Sequence, residues 1–474
     1  MDSVREKEDR LSSLPDSILV HILSFLPTHD AVRAMLVKKS FSTLWTWLSR
    51  LDLDDSGFDF CELVDDDDDD GSIMQDLPFF IFVRNMLMRH RRPQIDKFRV
   101  SITTMLFWDI ERRSLGHELD SWITVALRKQ VKVLEFIGGS IEPGFDLYKW
   151  PHEFVSNSLV ELRVEAISMN SLTRVHLGSL RILRLIMVDM SDSAIGEIIQ
   201  GCPSLRELEI YNCGDLHMLS FAAPSIEKLT VDISLFSFYF GEEDDLILLR
   251  LNCPNLKSFD FTGFVDCVDF INLSSLVDVN FNLRSRRPAF TEFQKFTTAL
   301  KILARAERVA FSNEFVTVLF YCMLKEGPQI PIHCKHMKLS IWLTDKHIHG
   351  LNCMLRNIQQ LEELVIDLTK GLSDFTKPIE AKLDDDTLDG EDYRSLKSVT
   401  IHNIANSSYE LLISLTELLL RKASVLNKLV FYYNAKDQSA EKACELTLEQ
   451  LSEFSRKLQT LPKASQHVKI CCIH

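Results

Sequence analysis

Between Leu14 and Leu26 the apolar positions Pro15, Ile18, Leu19, Ile22, Leu23 and Leu26 follow the i, i+3, i+4, i+7, i+8, i+11 spacing of one helix face. Pro15 suits the first helical position and Pro27 ends the run. Thr28 is placed to cap a second helix carrying Ala31, Val32, Met35 and Leu36, and "FSTLWTWL" supplies a third apolar segment. Val20 lies opposite the stripe and Phe25 widens it. Three helices this short cannot bury so many large apolar side chains among themselves. The excess is covered either by the rest of the chain or by helices of another protein, in the manner of a docking module.

A second pattern starts further on. "LPFFIFVRNMLMRHRRP" reads as a helix ended by a basic turn and a proline. From Ile95 the frame L-x-x-L-x-L, with apolar substitutes, recurs with starts at Ile95, Val131, Leu159, Leu180, Leu205, Ile226, Leu256, Leu276, Leu361, Leu396 and Leu426. Weaker copies near Val309 and Met337 fall in the gap. Steps of 20 to 36 residues bracket the period of leucine-rich repeats and run looser at the long end. Each unit contributes one short strand to a parallel ribbon and a helix or loop to the outside, and only stacking buries its apolar edge. "SDSAIGEIIQGCPSLRELEI" holds both halves: helix, Gly-Cys-Pro turn, strand.

Charge refines the organisation. The formal net charge is −15, and twelve acidic residues with no Lys or Arg lie between Leu51 and Asp76. That run reads as an acidic linker, and an acidic balance disfavours general binding to a nucleic-acid backbone. A second acidic loop, "KLDDDTLDGEDY", separates the last two good repeats from the others. The expected domains are therefore helices over 10–50, a linker over 51–76, a repeat array over 77–379 and a C-terminal region over 380–474 that continues the repeats. In it, the helix in "ELLISLTELLLRKASVLNKLVFYY" turns straight into a strand.

Eleven scattered cysteines read as reduced thiols, vicinal Cys471 and Cys472 included. The charged N-terminus leads into no secretory segment, and "LPFFIFV" and "LLISLTELLL" are too short to span a bilayer. The expected setting is cytoplasm or nucleus, with no membrane and no nucleic-acid partner.

"LSSLPDSILVHILSFLPTHDAVRAMLVKKSFSTLW" resembles an F-box, of the kind found in plant F-box proteins with leucine-rich repeats and an FBD-like C-terminal region. "FFIFVRNMLMR", "WITVALRKQVKVLEF", "SLKSVTIHNI" and "LTELLLRKASVLNKLVFYY" extend the resemblance over nearly the whole chain. It implies an α/β fold: a three-helix F-box, then a leucine-rich-repeat solenoid with a parallel strand ribbon and outer helices. It implies docking on a Skp-family adaptor bound to a cullin, with an unknown protein substrate held by the repeats for ubiquitination. By motif, the adaptor-facing residues are Leu14, Pro15, Ile18, Leu19, Ile22, Leu23, Leu26, Pro27, Val32, Leu36, Val37 and Trp45. Where the family usually shows a basic residue, Trp and a second basic residue, this chain has Ser40, Phe41 and Ser42. Apolar burial should carry more of the affinity than exposed ion pairs do.

Catalytic chemistry finds no foothold. Asp66, Asp68, Asp70 and Gly71 match positions 1, 3, 5 and 6 of an EF-hand loop, but Leu77 stands where the bidentate Glu belongs. His333, Cys334, His336, His347, His349 and Cys353 match no compact zinc spacing. "HELDS" and "HEFVS" lack a second His, and GxSxG, GxGxxG and GxxxxGK are missing. "RHRRP" and "RSRRP" read as solvated turns. No cofactor, metal or enzymatic activity is expected. Strand residues between the inward-pointing ones project from the concave side, which nominates Arg184, Glu209, Tyr211, Asp260 and Asn280 for substrate contact. A scaffold or small-molecule receptor built on the same solenoid is the alternative.

Overall fold

The computed structural model describes residues 13–35, 42–58, 78–102, 112–139, 147–234, 246–284, 299, 301–326, 332–370, 392–433 and 448–473. These form two compact units, one ending at Leu216 and the other starting at His217. Leu36, Val37, Ser40, Phe41 and the run from Asp59 to Leu77 lie outside the described residues.

The first unit begins with helices α1 (Asp16–Leu23) and α2 (Thr28–Met35) and a 3-10 turn, Leu44–Trp47, which is the described part of the third expected helix. Strands β1 (Arg50–Asp54), β2 (Lys97–Ser101), β3 (Val133–Ile137), β4 (Glu153–Val155), β5 (Glu161–Glu165), β6 (Arg174–His176), β7 (Ile182–Ile186) and β8 (Glu207–Tyr211) follow. β1, β2, β3, β5, β7 and β8 pair in that order as a parallel ribbon, while β4 and β6 pair with each other. Leu51, Phe98, Leu134, Leu162, Leu183 and Leu208 stand side by side across the ribbon and are all buried. The intervening residues alternate to the other face, the period of two that a strand imposes.

Helices α3 (Pro78–Arg89), α4 (Arg112–Arg128) and α5 (Asp192–Gly201) belong to this unit. Buried Phe79 and Phe80 of α3 meet Trp122 of α4 with ring centroids 6.0 and 5.0 Å apart. At α5 the Ser191 hydroxyl accepts the Ala194 N–H as an N-cap. Gly201 closes the helix because an added Cβ would run into the Val175 carbonyl, so this close approach admits only glycine.

One expectation needs correction here. Residues 51–54, placed in the linker, form a ribbon strand with Leu51 and Leu53 buried. Leu48, Leu51 and Leu53 are themselves a copy of the repeat frame, and their apolar alternation outweighs the acidic residues between them.

The second unit contains β9 (Met218–Ala222), β10 (Lys228–Asp232), β11 (Leu246–Asn252), β12 (Ser258–Asn272), β13 (Asp278–Arg284), β14 (Arg308–Phe311), β15 (His336–Ile341), β16 (Glu363–Leu368), β17 (Ser398–His402), β18 (Lys428–Tyr432) and β19 (Lys469–Ile473). β10, the first half of β12 and β13 to β19 form its parallel ribbon. The weak copies near Val309 and Met337 are strands β14 and β15, with Val309 beside Met337. The second half of β12 pairs instead with β11, which pairs with β9. Gly263 marks the division at φ 153°, a conformation side chains rarely adopt, and its missing Cβ leaves room for Ile233.

Helices α6 (Asn313–Glu326), α7 (Asp345–Asn357), α8 (Tyr409–Lys422) and α9 (Leu448–Thr460) complete the unit. α8 leads into β18 as the spacing predicts, its N-terminus capped by Ser408 accepting the Leu411 N–H. Residues 371–391, which hold most of the second acidic loop, lie outside the described residues, and β17 beyond them pairs directly with β16.

Candidate functional site

α1 starts where the Pro15 carbonyl accepts the N–H groups of Ile18 and Leu19 at 2.9 and 3.1 Å. Pro15 sits at the N-cap, one residue before the first helical position expected for it. Tighter turns through Phe25 and Leu26 carry the chain to Pro27, whose carbonyl accepts the Ala31 N–H and so starts α2.

The apolar stripe of α1 is split between two faces. Leu19, 4% exposed, packs against Leu44 of the 3-10 turn, with Leu14, Val20, Leu23 and Trp45 around them. Val20, expected on the opposite side, therefore joins this small core. Ile18, Ile22, Phe25 and Leu26 point away from it and are 45%, 41%, 66% and 42% exposed. Pro15 and Pro27 are exposed beside them, Val32 is half-buried, and Trp47 is also exposed. Leaving four large apolar side chains in water on α1 and the turns that follow it sacrifices the stabilisation that burial would bring, about 1.5–3 kcal/mol each. Among the described residues of this unit nothing covers them.

What the rest of the unit does hold is the opposite side of the helices. The buried Thr28 hydroxyl accepts the Asp52 backbone N–H of β1 at 2.7 Å, so Thr28 serves the ribbon rather than capping α2 through its side chain. The His29 ring lies 4.7 Å from Phe58 and 5.7 Å from Phe82. Buried His90 bonds the Leu48 carbonyl through Nε2 at 2.9 Å, and the Thr46 carbonyl accepts the Arg91 N–H. Burial holds the His90 pKa below its ordinary value against the opposing Leu48 hydrogen bond, with Lys129 and Arg92 adding to the depression. The helices thus cover the first strand of the ribbon, the edge a repeat array must protect.

On the other face of the ribbon most charged neighbours are paired. Arg99 donates to Asp52 and Asp54 at 2.7 and 3.0 Å, and Lys97 donates to Glu135 at 2.7 Å. Burial pushes the Asp54 carboxyl up, but hydrogen bonds from Ser56 and Arg99 and the Arg99 charge outweigh it and hold the group below the usual carboxylate range. Arg184 stands between Glu161 and Glu209, donating to both. Tyr211 lies on the same face two residues beyond Glu209. In the second unit Asn280 donates to Asp260 at 3.0 Å. Four of the five residues nominated for substrate contact, Arg184, Glu209, Asp260 and Asn280, are therefore tied to ribbon neighbours through the hydrogen bonds named.

The residues with metal-binding side chains are dispersed. Burial pushes the Cys334 thiol up to about 12, and His336 bonds Glu363 at 3.0 Å. His347 lies between the hydroxyls of Thr344 and Thr317, at 2.7 and 3.3 Å. Among the described residues no three His, Cys, Asp or Glu side chains are grouped to hold a metal ion. Nor, among them, is any helix long and apolar enough to cross a membrane.

An N-terminal helical module with an open apolar face, mounted on parallel coils of strand and helix, defines the class: an F-box-type module joined to leucine-rich repeats. Family comparison agrees, with a model described as "F-box-like" matching residues 11–45 and one described as "At1g61320/AtMIF1, LRR domain" matching residues 86–469. The chain belongs to this F-box and leucine-rich-repeat family. Its relatives in Arabidopsis thaliana include "F-box/LRR-repeat protein At3g59200", 25% identical over 98% of this chain and 88% of the relative. "Putative F-box/LRR-repeat protein At5g54820" is 23% identical over 100% and 99%. "F-box/FBD/LRR-repeat protein At2g04230" is 29% identical over 55% of this chain and 54% of the relative, so that match spans about half of each.

Proposed function

We propose that the chain is the substrate-recognition subunit of a Skp–cullin–F-box ubiquitin ligase, with no catalytic residue of its own. The observation that carries this reading is the open face of Ile18, Ile22, Phe25 and Leu26 on a module whose other side is anchored to the ribbon. A helical groove on a Skp-family adaptor would cover that face, with Pro15 and Pro27 at its ends and Leu14, Leu23, Val32 and Trp45 at its margin. Leu19 supports the face from beneath, and Leu36 and Val37 complete the proposed set from outside the described residues.

The mechanism is tethering. The adaptor joins the chain to a cullin, and the repeats hold a protein near a charged ubiquitin-conjugating enzyme, which raises its effective concentration. On the substrate side Arg184, Glu209, Tyr211, Asp260 and Asn280 remain proposed contacts, now as members of hydrogen-bonded rows. The proposed setting is cytoplasm or nucleus.

Affinity purification of the tagged full chain from plant cells, followed by mass spectrometry, tests the reading. Recovery of a Skp-family adaptor with a cullin is expected. Recovery of neither, from a chain shown to be folded, would overturn it.

A further inference from the structure

Charged residues on neighbouring strands of the ribbons mostly reach an opposite charge. Where like charges stand in register, as Arg50 with Lys97 and Arg163 with Arg184, at least one member of each pair has a carboxylate partner. Lys97 meets Glu135, Arg184 meets Glu161 and Glu209, and Arg308 meets Asp278. Just outside the strands Lys257 meets Glu227, and Lys397 meets Glu362. The pattern breaks at the last two strands. Lys428 of β18 and Lys469 of β19 are direct register partners, both are exposed, and among the described residues neither has a carboxylate at ion-pair distance. Like charges facing each other across a strand pair repel, so this arrangement costs stability unless an anion lies over it.

The same face continues without charge. Thr400, Val430 and Cys471 form the next row, and two residues further His402 stacks on Tyr432 with centroids 4.6 Å apart and planes 7° from parallel. Ile473 stands beside Tyr432 and is exposed. Lys428 and Tyr432 are four residues apart on one strand, about 13 Å. The face thus carries two ammonium groups at one end, a flat aromatic platform at the other and an uncharged floor between.

We propose that this face of β17, β18 and β19 binds an extended acidic segment of a partner protein. Carboxylate or phosphate groups sit on Lys428 and Lys469, and an apolar or aromatic side chain about four residues away rests on the His402–Tyr432 stack. This rests on the reading that the repeats recruit a protein, and it names the chemistry of that protein. A nucleic acid fits less well, because two lysines neutralise too few phosphates and the chain as a whole carries −15.

The test uses the full chain and pools of short peptides, randomised except at a central position fixed as Glu, phosphoserine or Lys. Capture of the Glu or phosphoserine pool by about tenfold over the Lys pool is expected, and the larger of the two identifies the anion. The preference should vanish in Lys428→Glu/Lys469→Glu and fall in Lys428→Met/Lys469→Met. Sequencing of the captured acidic pool should show apolar enrichment about four positions from the anion, and Tyr432→Ala should remove that enrichment. Equal capture of all pools, an undiminished preference in the charge-reversed chain, or displacement of the peptides by a single-stranded oligonucleotide would each overturn the proposal. Adaptor capture is measured on the same proteins: its loss from the wild-type chain counts against the ligase reading alone, whereas lost acidic preference with adaptor capture intact counts against this face alone.

Discussion

Thr28 and Asp52 are joined by a 2.7 Å hydrogen bond from the Asp52 backbone N–H to the Thr28 hydroxyl, which ties the second F-box helix to the first strand of the repeat ribbon. Thr28 is fully buried, so water cannot replace the bond. The F-box therefore doubles as the N-terminal cap of the repeats. Thr28→Val, which keeps the shape and removes the acceptor, should lower stability by about 1–3 kcal/mol in urea unfolding of the full chain. A change within a few tenths would mean that the cap is held by apolar packing alone.

Arg184 is the next test of internal pairing. It links Glu161 and Glu209, and Glu209 is nearly buried. Truncation by Arg184→Ala should destabilise the chain by roughly 1–2 kcal/mol, because a shielded carboxylate loses a partner. The double change Arg184→Met/Glu209→Gln should recover part of that loss. If Arg184→Ala is neutral in thermal unfolding, the residue is free to serve substrate binding alone.

Acid should weaken the fold through its histidines before its carboxylates are reached. Burial lowers the His347 pKa to about 4, against an ordinary value of 6.5. The hydrogen bonds explain the preference for the neutral ring: Thr344, which accepts the His347 backbone N–H, donates to Nδ1, and Nε2–H donates to Thr317. Below pH 6.5 the unfolded chain takes up a proton that the folded chain refuses, so stability is complete above pH 6.5 and falls as pH drops toward 4. His90, lowered in the same direction, adds to the slope. His347→Gln should flatten the decline by an amount on the order of 2–3 kcal/mol between pH 7 and pH 4. Unchanged slopes in urea unfolding across that range would refute the assignment.

Much of this architecture was readable from spacing because leucine-rich coils repeat one local rule. Leu134, Leu162, Leu183 and Leu208 each sit at the fourth position of the frame, and they line up in the ribbon. The first strand is masked in the sequence because Asp52, Asp54 and Asp55 give Leu48, Leu51 and Leu53 the composition of a linker. β9 and β11 also fit the frame, at Leu216, Leu219 and Phe221 and at Leu246, Leu249 and Leu251, but their pairing outside the main ribbon depends on how β12 divides at Gly263.

Within the F-box the limit was angular. On a helix of eight residues, Ile18 and Leu19 both fit one stripe, and only packing against Leu44 decides which turns inward. The salt links of Arg184 and Arg99 depend on strand register between residues more than twenty positions apart, which alternation alone does not specify.

The central claim is that the exposed face of α1 docks on an adaptor. Isothermal titration of the full chain into a purified Skp-family adaptor measures this directly. The wild-type chain should bind saturably, and Ile18→Glu/Ile22→Glu should weaken binding about a hundredfold or more, with its thermal unfolding midpoint within a few degrees of wild type. Equal binding by both proteins, or no binding by a folded wild-type chain, would contradict it.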